Sequence, residues 1–476
     1  MSGYKMAALM LFIIAVTVAA YSETPPASEE GYEMASWPAE LKEKTEPDTY
    51  WGRNLFLFKL MKQLEGDEER YETNDDLSSD QKWSQLAELK EPDEKKWVTA
   101  LSTNPGKSTK SPKPRPQPKW KSKKGRGYPV QEYDVVTQDD YILKLFHIPG
   151  DRSKPILLMH GIIDSADTFI IRGNTSLAAA LADAGYDVWV GNSRGSRYSR
   201  RHLLLDPNTD KEFWDFSFHE LGYYDLPALI DFVLDNTGTK TLNAIGHSQG
   251  NSIFLVLGAT RPEYNEKIKV MISLSPVCYL NNIKNSVSHL MKFTPVIDRF
   301  YTFIGEDEFL GDDTIPIRLF RYVCGSKKSY SVCAKGIMFS LAGSDPDEME
   351  LDFFPTVVAH YPTGTSMKNV IHVSQIGIKR SFARFNYGLK NIEIYNSSDP
   401  PEYDLGKVSM KIALLAGRND EISRLEDVKQ LMSKLPNVVK FTIINHERFN
   451  HIDAVWGRNM AVYLFPSIFD ILSKYG

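Results

Sequence analysis

From Tyr128 to the C-terminus, short apolar runs alternate with segments of helical period. VQEYDVVTQDDYILKLFHIP (130–149) alternates apolar and polar positions on either side of Gln138-Asp139-Asp140, which predicts a hairpin. PILLMHG (155–161) is a continuous apolar run ending in glycine, the form of a strand buried on both faces. YDVWVGN, LNAIGHS, VMISLSP, IALLAG and KFTIINH repeat that form. Between these runs, TSLAAALADAG (175–185), DLPALIDFVLDNTG (225–238) and LEDVKQLMSKL (425–435) carry helical period, the first two closing on glycine. Strands alternating with helices predict an α/β protein with a mostly parallel, doubly wound sheet.

Two regions break this rhythm. Residues 281–404 are rich in aromatics and Met and poor in strand signals. An insertion of that length between sheet strands predicts a cap rather than a loop, leaving 127–280 and 405–476 as the two parts of the core. Residues 21–126 form the second exception: acidic from Glu23 to Glu94, then basic and Pro-rich in SPKPRPQPKWKSKKGRG. Alternating Pro and Lys favours extended, solvated chain, so a largely disordered extension is expected, with one amphipathic helix over WGRNLFLFKLMKQL (51–64). Ahead of it, residues 1–20 place Lys5 before an apolar run from Met6 to Ala20. That predicts a secretory signal peptide cleaved after Ala20 or Ser22; the alternative, a membrane anchor, needs a span of about 20 apolar residues. No transmembrane anchor is expected in the mature chain.

The 476 residues are 42% hydrophobic and 12% aromatic, enough for a sizeable core. A formal net charge of −5 gives no reason to expect nucleic acid as a partner. The cysteines are Cys278, Cys324 and Cys333, an odd count that in an oxidising compartment suggests one bridge and one free thiol. Cys324 and Cys333 are close enough to close a small loop, while Cys278, after VMISLSPV, reads as a buried small hydrophobe. CGSKKSYSVC lacks the paired spacing of a zinc site, so neither metal nor cofactor is expected. Asn174 and Asn396 begin sequons compatible with glycosylation.

The chemistry gathers around Gly246-His247-Ser248-Gln249-Gly250. Gly-x-Ser-x-Gly alone is a weak signal, but here a strand, LNAI, precedes it and a helix-forming stretch, NSIFLVLGAT, follows. A serine on so sharp a bend crowds its neighbours, which is why Gly246 and Gly250 are needed. The hydroxyl needs a base, expected late in the chain in the order Ser, acid, His. NHERFNHIDAVW offers His446 and His451, and His451, in a loop beyond the strand, is favoured. The acid is expected after the penultimate strand, at Asp420 rather than at Glu421 or at Asp427 inside a helix. Oxyanion donors are expected from the backbone N–H groups of Gln249 and of Ile162, after PILLMHG, with His160 shaping that loop.

Taken together these stretches resemble the acid lipases, the family of gastric and lysosomal acid lipase and many insect secreted lipases. The resemblance runs over about three quarters of the chain through LLMHGIIDSADTFI, LADAGYDVWVGNSRGSRYSRRH, FWDFSFHELGYYDLPALIDF, GHSQGNS, HYPTGTSMKNVIHVSQ, PPEY and FNHIDAVW, all in register. It implies an α/β-hydrolase core with an inserted, mainly helical cap and a lid over roughly 312–341. It also implies the triad Ser248, Asp420 and His451, oxyanion donors at Ile162 and Gln249, and a disulfide between Cys324 and Cys333. Substrates in the family are triacylglycerols and cholesteryl esters. The sequence departs from the family pattern at EISR after Asp420, at Val373 where Trp is usual, and in the charged extension.

The expected function is therefore a secreted or lysosomal lipase working at a lipid–water interface. Two other readings stay open at this level: a catalytically weak, yolk-type storage or lipid-carrying protein, and an esterase for soluble short-chain esters.

Overall fold

The computed structural model describes residues 128–283 and 285–476. The predicted signal peptide, extension and helix at 51–64 lie outside the described residues. Among the described residues, eight strands form one sheet in the order β1-β2-β4-β3-β5-β6-β9-β10. β1 (Gln131–Val136) and β2 (Ile142–Ile148) are the expected hairpin, paired antiparallel. β2 also pairs antiparallel with β4 (Tyr186–Gly191). The remaining pairings, among β3 (Asp151–Met159), β4, β5 (Leu242–His247), β6 (Ile268–Leu274), β9 (Ile412–Ala416) and β10 (Val438–Ile443), are parallel.

The continuous apolar runs are explained by burial on both faces. β3 and β5 pair in register at Leu157↔Ala244 and Leu158↔Ile245. Leu157 and Ala244 join the apolar layer on one side of the sheet, with Leu414 of β9. Leu158 and Ile245 join the layer on the other, with Ile272 and Ala413. A side-chain period of two with apolar residues on both parities is what a sheet covered on two faces demands. β3 starts earlier than its apolar run: Asp151 to Lys154 are exposed, and its register with β4 shifts between Asp151 and Pro155.

Helices cover the sheet. α1 (Leu177–Asp183) begins at Ser176, whose hydroxyl accepts from the Ala179 N–H. α2 (Leu226–Thr237) ends at Gly238 with φ 73°, the left-handed closure that glycine tolerates best. α3 (Gln249–Thr260) follows β5 directly. Between β6 and β9 the described chain adds nothing to the main sheet. It forms α4 (Asn285–Ile304), α5 (Ile315–Cys324), α6 (Met367–Lys379) and a two-residue ribbon of β7 (Glu308–Phe309) with β8 (Thr365–Ser366). Cys324 and Cys333 are bonded, with Cα atoms 5.7 Å apart, and Cys278 is free and buried. After β9 come α7 (Leu425–Lys434), β10 and α8 (Phe465–Tyr475).

Candidate active site

The bend between β5 and α3 brings Ser248 out of the sheet with φ 54° and ψ −121°. A non-glycine residue in that region costs on the order of 1–3 kcal/mol and persists only where the surroundings hold it. The flanking glycines show how tightly they do. A Cβ on Gly246 would lie 2.8 Å from the Gly250 carbonyl, and one on Gly250 would lie 2.4 Å from the Met159 carbonyl oxygen. No larger side chain fits at either position.

Asp420 lies in the turn after β9, and His451 lies in the loop between β10 and α8. His451 Nε2 is 2.9 Å from Ser248 Oγ. His451 Nδ1 is 3.1 and 3.0 Å from the two oxygens of Asp420. With Nδ1–H donating to the carboxylate, Nε2 is left to accept the serine proton. Asp420 also accepts from the N–H groups of Ile422 (3.0 Å) and Ser423 (2.7 Å). Burial opposes its ionisation, but His451 and the Ser423 N–H outweigh burial and hold the carboxyl below its usual range. All three residues are buried.

The competing candidates have other partners. His446 bonds the Asp345 carboxylate and stacks on Tyr463, away from the serine. Glu421 pairs with Arg424 at 3.0 Å, and Asp427 accepts from the backbone of Asn281 and Asn282. His160 donates from Nδ1 to the Gly161 carbonyl (2.8 Å) and accepts at Nε2 from the Ser193 N–H (3.1 Å). It therefore fixes the Gly161–Ile162 peptide, whose N–H belongs to Ile162. Burial pushes the His160 imidazole down to about 4, so it stays neutral in mild acid. His247 donates from Nε2 to the His451 carbonyl at 2.9 Å, and burial, then the neighbouring His451, push it down to about 3. Its bond to His451 went unrecognised in the sequence, where it is the second residue of the Gly-x-Ser-x-Gly run.

The loop bearing Ile162 touches the serine. A Cβ on Gly161 would sit 3.1 Å from Ser248 Cβ, so glycine is what allows the approach. Gln249 is the first residue of α3, where N–H groups have no partner within the helix. Its side chain exchanges two hydrogen bonds with Asn369 of α6, at 3.1 and 3.0 Å. Ile163 holds φ 50°, a strained value for a β-branched residue. Asn174 and Asn396, the sequon residues, are exposed. Among the described residues no group of three His, Cys, Asp or Glu is placed to hold a metal ion.

Comparisons with known proteins place the chain among the α/β-hydrolases. Residues 154–302 match the model of the alpha/beta hydrolase fold, and residues 123–173 match the partial alpha/beta-hydrolase lipase region. Lipase 1 of Drosophila melanogaster is 36% identical over 73% of this chain and 78% of its own length. Lipase member K of Homo sapiens is 34% identical, and gastric triacylglycerol lipase of Rattus norvegicus 35%, each over 73% of this chain and 89% of its own.

Proposed function

The chain belongs to the acid lipase family of carboxylic ester hydrolases, and we propose that it hydrolyses neutral-lipid esters, triacylglycerol foremost, with Ser248, His451 and Asp420 as its triad. The observation that carries this reading is the unbroken hydrogen-bonded line from hydroxyl to imidazole to carboxylate. Ser248 Oγ attacks the ester carbonyl as its proton passes to His451 Nε2, and Asp420 stabilises the imidazolium. The oxyanion is received by the N–H groups of Ile162 and Gln249, each donor worth roughly 3–4 kcal/mol in such sites. His451 then protonates the departing alcohol. Water, deprotonated by the same imidazole, attacks the acyl-enzyme and releases the fatty acid.

The insertion between β6 and β9 suits a cap. α4 exposes Phe293, Val296 and Phe303, and α5, inside the expected lid of 312–341, exposes Tyr322 at 87% while burying Ile317. Apolar area of this kind fits a lipid surface better than water. Among the described residues no helix is long and apolar enough to cross a membrane. Secretion or lysosomal delivery through the signal peptide, with glycosylation at Asn174 and Asn396, completes the reading. The test is hydrolysis of triolein and cholesteryl oleate emulsions beside dissolved butyrate esters. Activity on emulsions abolished by Ser248→Ala supports it. Turnover of dissolved esters alone favours a short-chain esterase, and no turnover with retained lipid binding favours a carrier.

A further inference from the structure

Ile162 and Gln249 lie on different elements, yet one short stretch of the insertion reaches the surroundings of both. Thr363 donates its N–H to the Ile163 carbonyl at 2.8 Å and its hydroxyl to the Asp164 carbonyl at 2.7 Å. Six residues on, Asn369 exchanges its side-chain amide bonds with Gln249. Thr363 and Asn369 are both buried, at 0% and 1% exposure. Neither is hydrogen-bonded to Ser248, Asp420 or His451, and neither lies in the eight-stranded sheet.

We propose that residues 363–369 are a positioning clamp for the oxyanion hole, with Thr363 holding the Ile162 side and Asn369 holding the Gln249 side. The inference rests on the reading of Ile162 and Gln249 as the oxyanion donors. The first half answers the strain at Ile163. A residue held at φ 50° relaxes unless its neighbouring peptides are fixed. His160 fixes the peptide before Ile162, and Thr363 fixes the two peptides that follow Ile163. The second half answers the freedom of the first residue of α3. Gln249 has no partner within the helix for its N–H, and the reciprocal amide pair locks the residue that carries it.

The clamp is itself anchored. Asn369 Nδ2 also donates to Thr365 Oγ1 at 3.1 Å, and the Asn369 N–H donates to Ser366 Oγ at 3.0 Å. The Ser366 hydroxyl donates to the Phe216 carbonyl, and Thr365 and Ser366 pair with Glu308 and Phe309. Gly364 is closely approached: a Cβ there would lie 2.7 Å from Glu308 Oε1 and 3.1 Å from Gly311 Cα. The insertion thus reaches the reaction through hydrogen bonds to the peptides after Ile163 and to the side chain of Gln249.

The experiment uses the full chain with dissolved p-nitrophenyl butyrate, and with diethyl p-nitrophenyl phosphate, whose phosphoryl oxygen occupies the oxyanion position during attack. Asn369→Ala and Thr363→Val are expected to lower kcat and the phosphorylation rate constant by roughly 10- to 100-fold, with KM changed less than about threefold. Thr363→Ser keeps the hydroxyl and should recover most of the rate. Asn369→Leu combined with Gln249→Met should be no slower than either alone, because the amide pair acts as one unit. Titrating labelled serine per folded molecule removes misfolded protein from the comparison, and Thr363→Ser against Thr363→Val carries the test where Asn369→Ala does not fold. Variants that fold and keep both rates within about twofold of the parent, or that raise KM alone, would overturn the clamp. A parent chain whose Ser248 is never phosphorylated would instead overturn the reading of the active site.

Discussion

The sheet end that carries Ser248, Asp420 and His451 and the helices inserted between β6 and β9 are built on opposite terms. Around Ser248 the chain leaves no slack: Gly246, Gly250 and Gly161 each stand where a methyl group would meet neighbouring atoms, and Ser248, Asp420 and His451 are buried. On α4 and α5 the chain does the reverse and turns Phe293, Val296, Phe303 and Tyr322 to solvent. Close packing has few alternative arrangements and keeps a strained residue in place. Exposed apolar side chains raise the free energy of the uncovered state and lower it when a greasy surface arrives. On the proposed reading, one region holds atoms still and the other meets a lipid phase.

The sharpest break would come at the triad. Ser248→Ala and His451→Ala should each reduce kcat by about 10⁶-fold and Asp420→Asn by about 10⁴-fold, and the double variants should be no worse than Ser248→Ala. Multiplicative losses in the Ser248/His451 pair, read on dissolved ester, would mean that the line of hydrogen bonds is not the working unit.

Next in size is Gly250→Ala. Its Cβ would lie 2.4 Å from a backbone oxygen of β3, so either the bend or β3 must shift. We expect loss of about 10²-fold or more in kcat, or failure to fold, measured as active-site titre per milligram of purified protein. Wild-type activity would mean that the bend has slack after all.

The insertion should respond to a different readout. Phe303→Ser with Phe293→Ser should lower the rate on triolein emulsion by roughly tenfold through weaker adsorption, while kcat on dissolved butyrate stays within about twofold. Equal loss on both substrates would erase the distinction between the two regions.

The core was legible in the sequence because burial on both faces writes continuous apolar runs, and β3, β5, β6 and β9 each stand where such a run stands. Ser248, Asp420 and His451, the proposed triad, could be singled out for a related reason: each lies shortly beyond a strand, so position along the chain translates into position on the sheet. What remained hidden has no local signature. Thr363 and Asn369 act on partners 199 and 120 residues away. Nothing in HYPTGTSMKNV distinguishes a residue bonded to Gln249 from one facing solvent. The exposed start of β3 was hidden too, because Asp151 to Lys154 are polar and join the sheet only through β4.

The smallest expected effect lies on the seam between the two regions. Asp164 follows the loop of the proposed oxyanion donor Ile162, its carbonyl is held by Thr363, and it is buried beside Tyr361, Asp167 and Arg197. Burial pushes its carboxyl up from an unfolded value of 3.8 to about 7, against the Ser165 N–H that favours the anion. The folded chain therefore holds a proton there that the unfolded chain releases. Stability from this group is complete below about pH 4 and is lost as pH rises toward 7. Asp420 runs the other way: its lowered carboxyl stabilises the fold above the unfolded value and loses that contribution in acid. An Asp164→Asn variant should therefore melt close to the parent at pH 4 and a few °C higher at pH 8. Parallel melting curves for the two proteins from pH 4 to 8 would mean that the seam tolerates the charge, and that acid does nothing to tighten the hold of the insertion on the oxyanion loop.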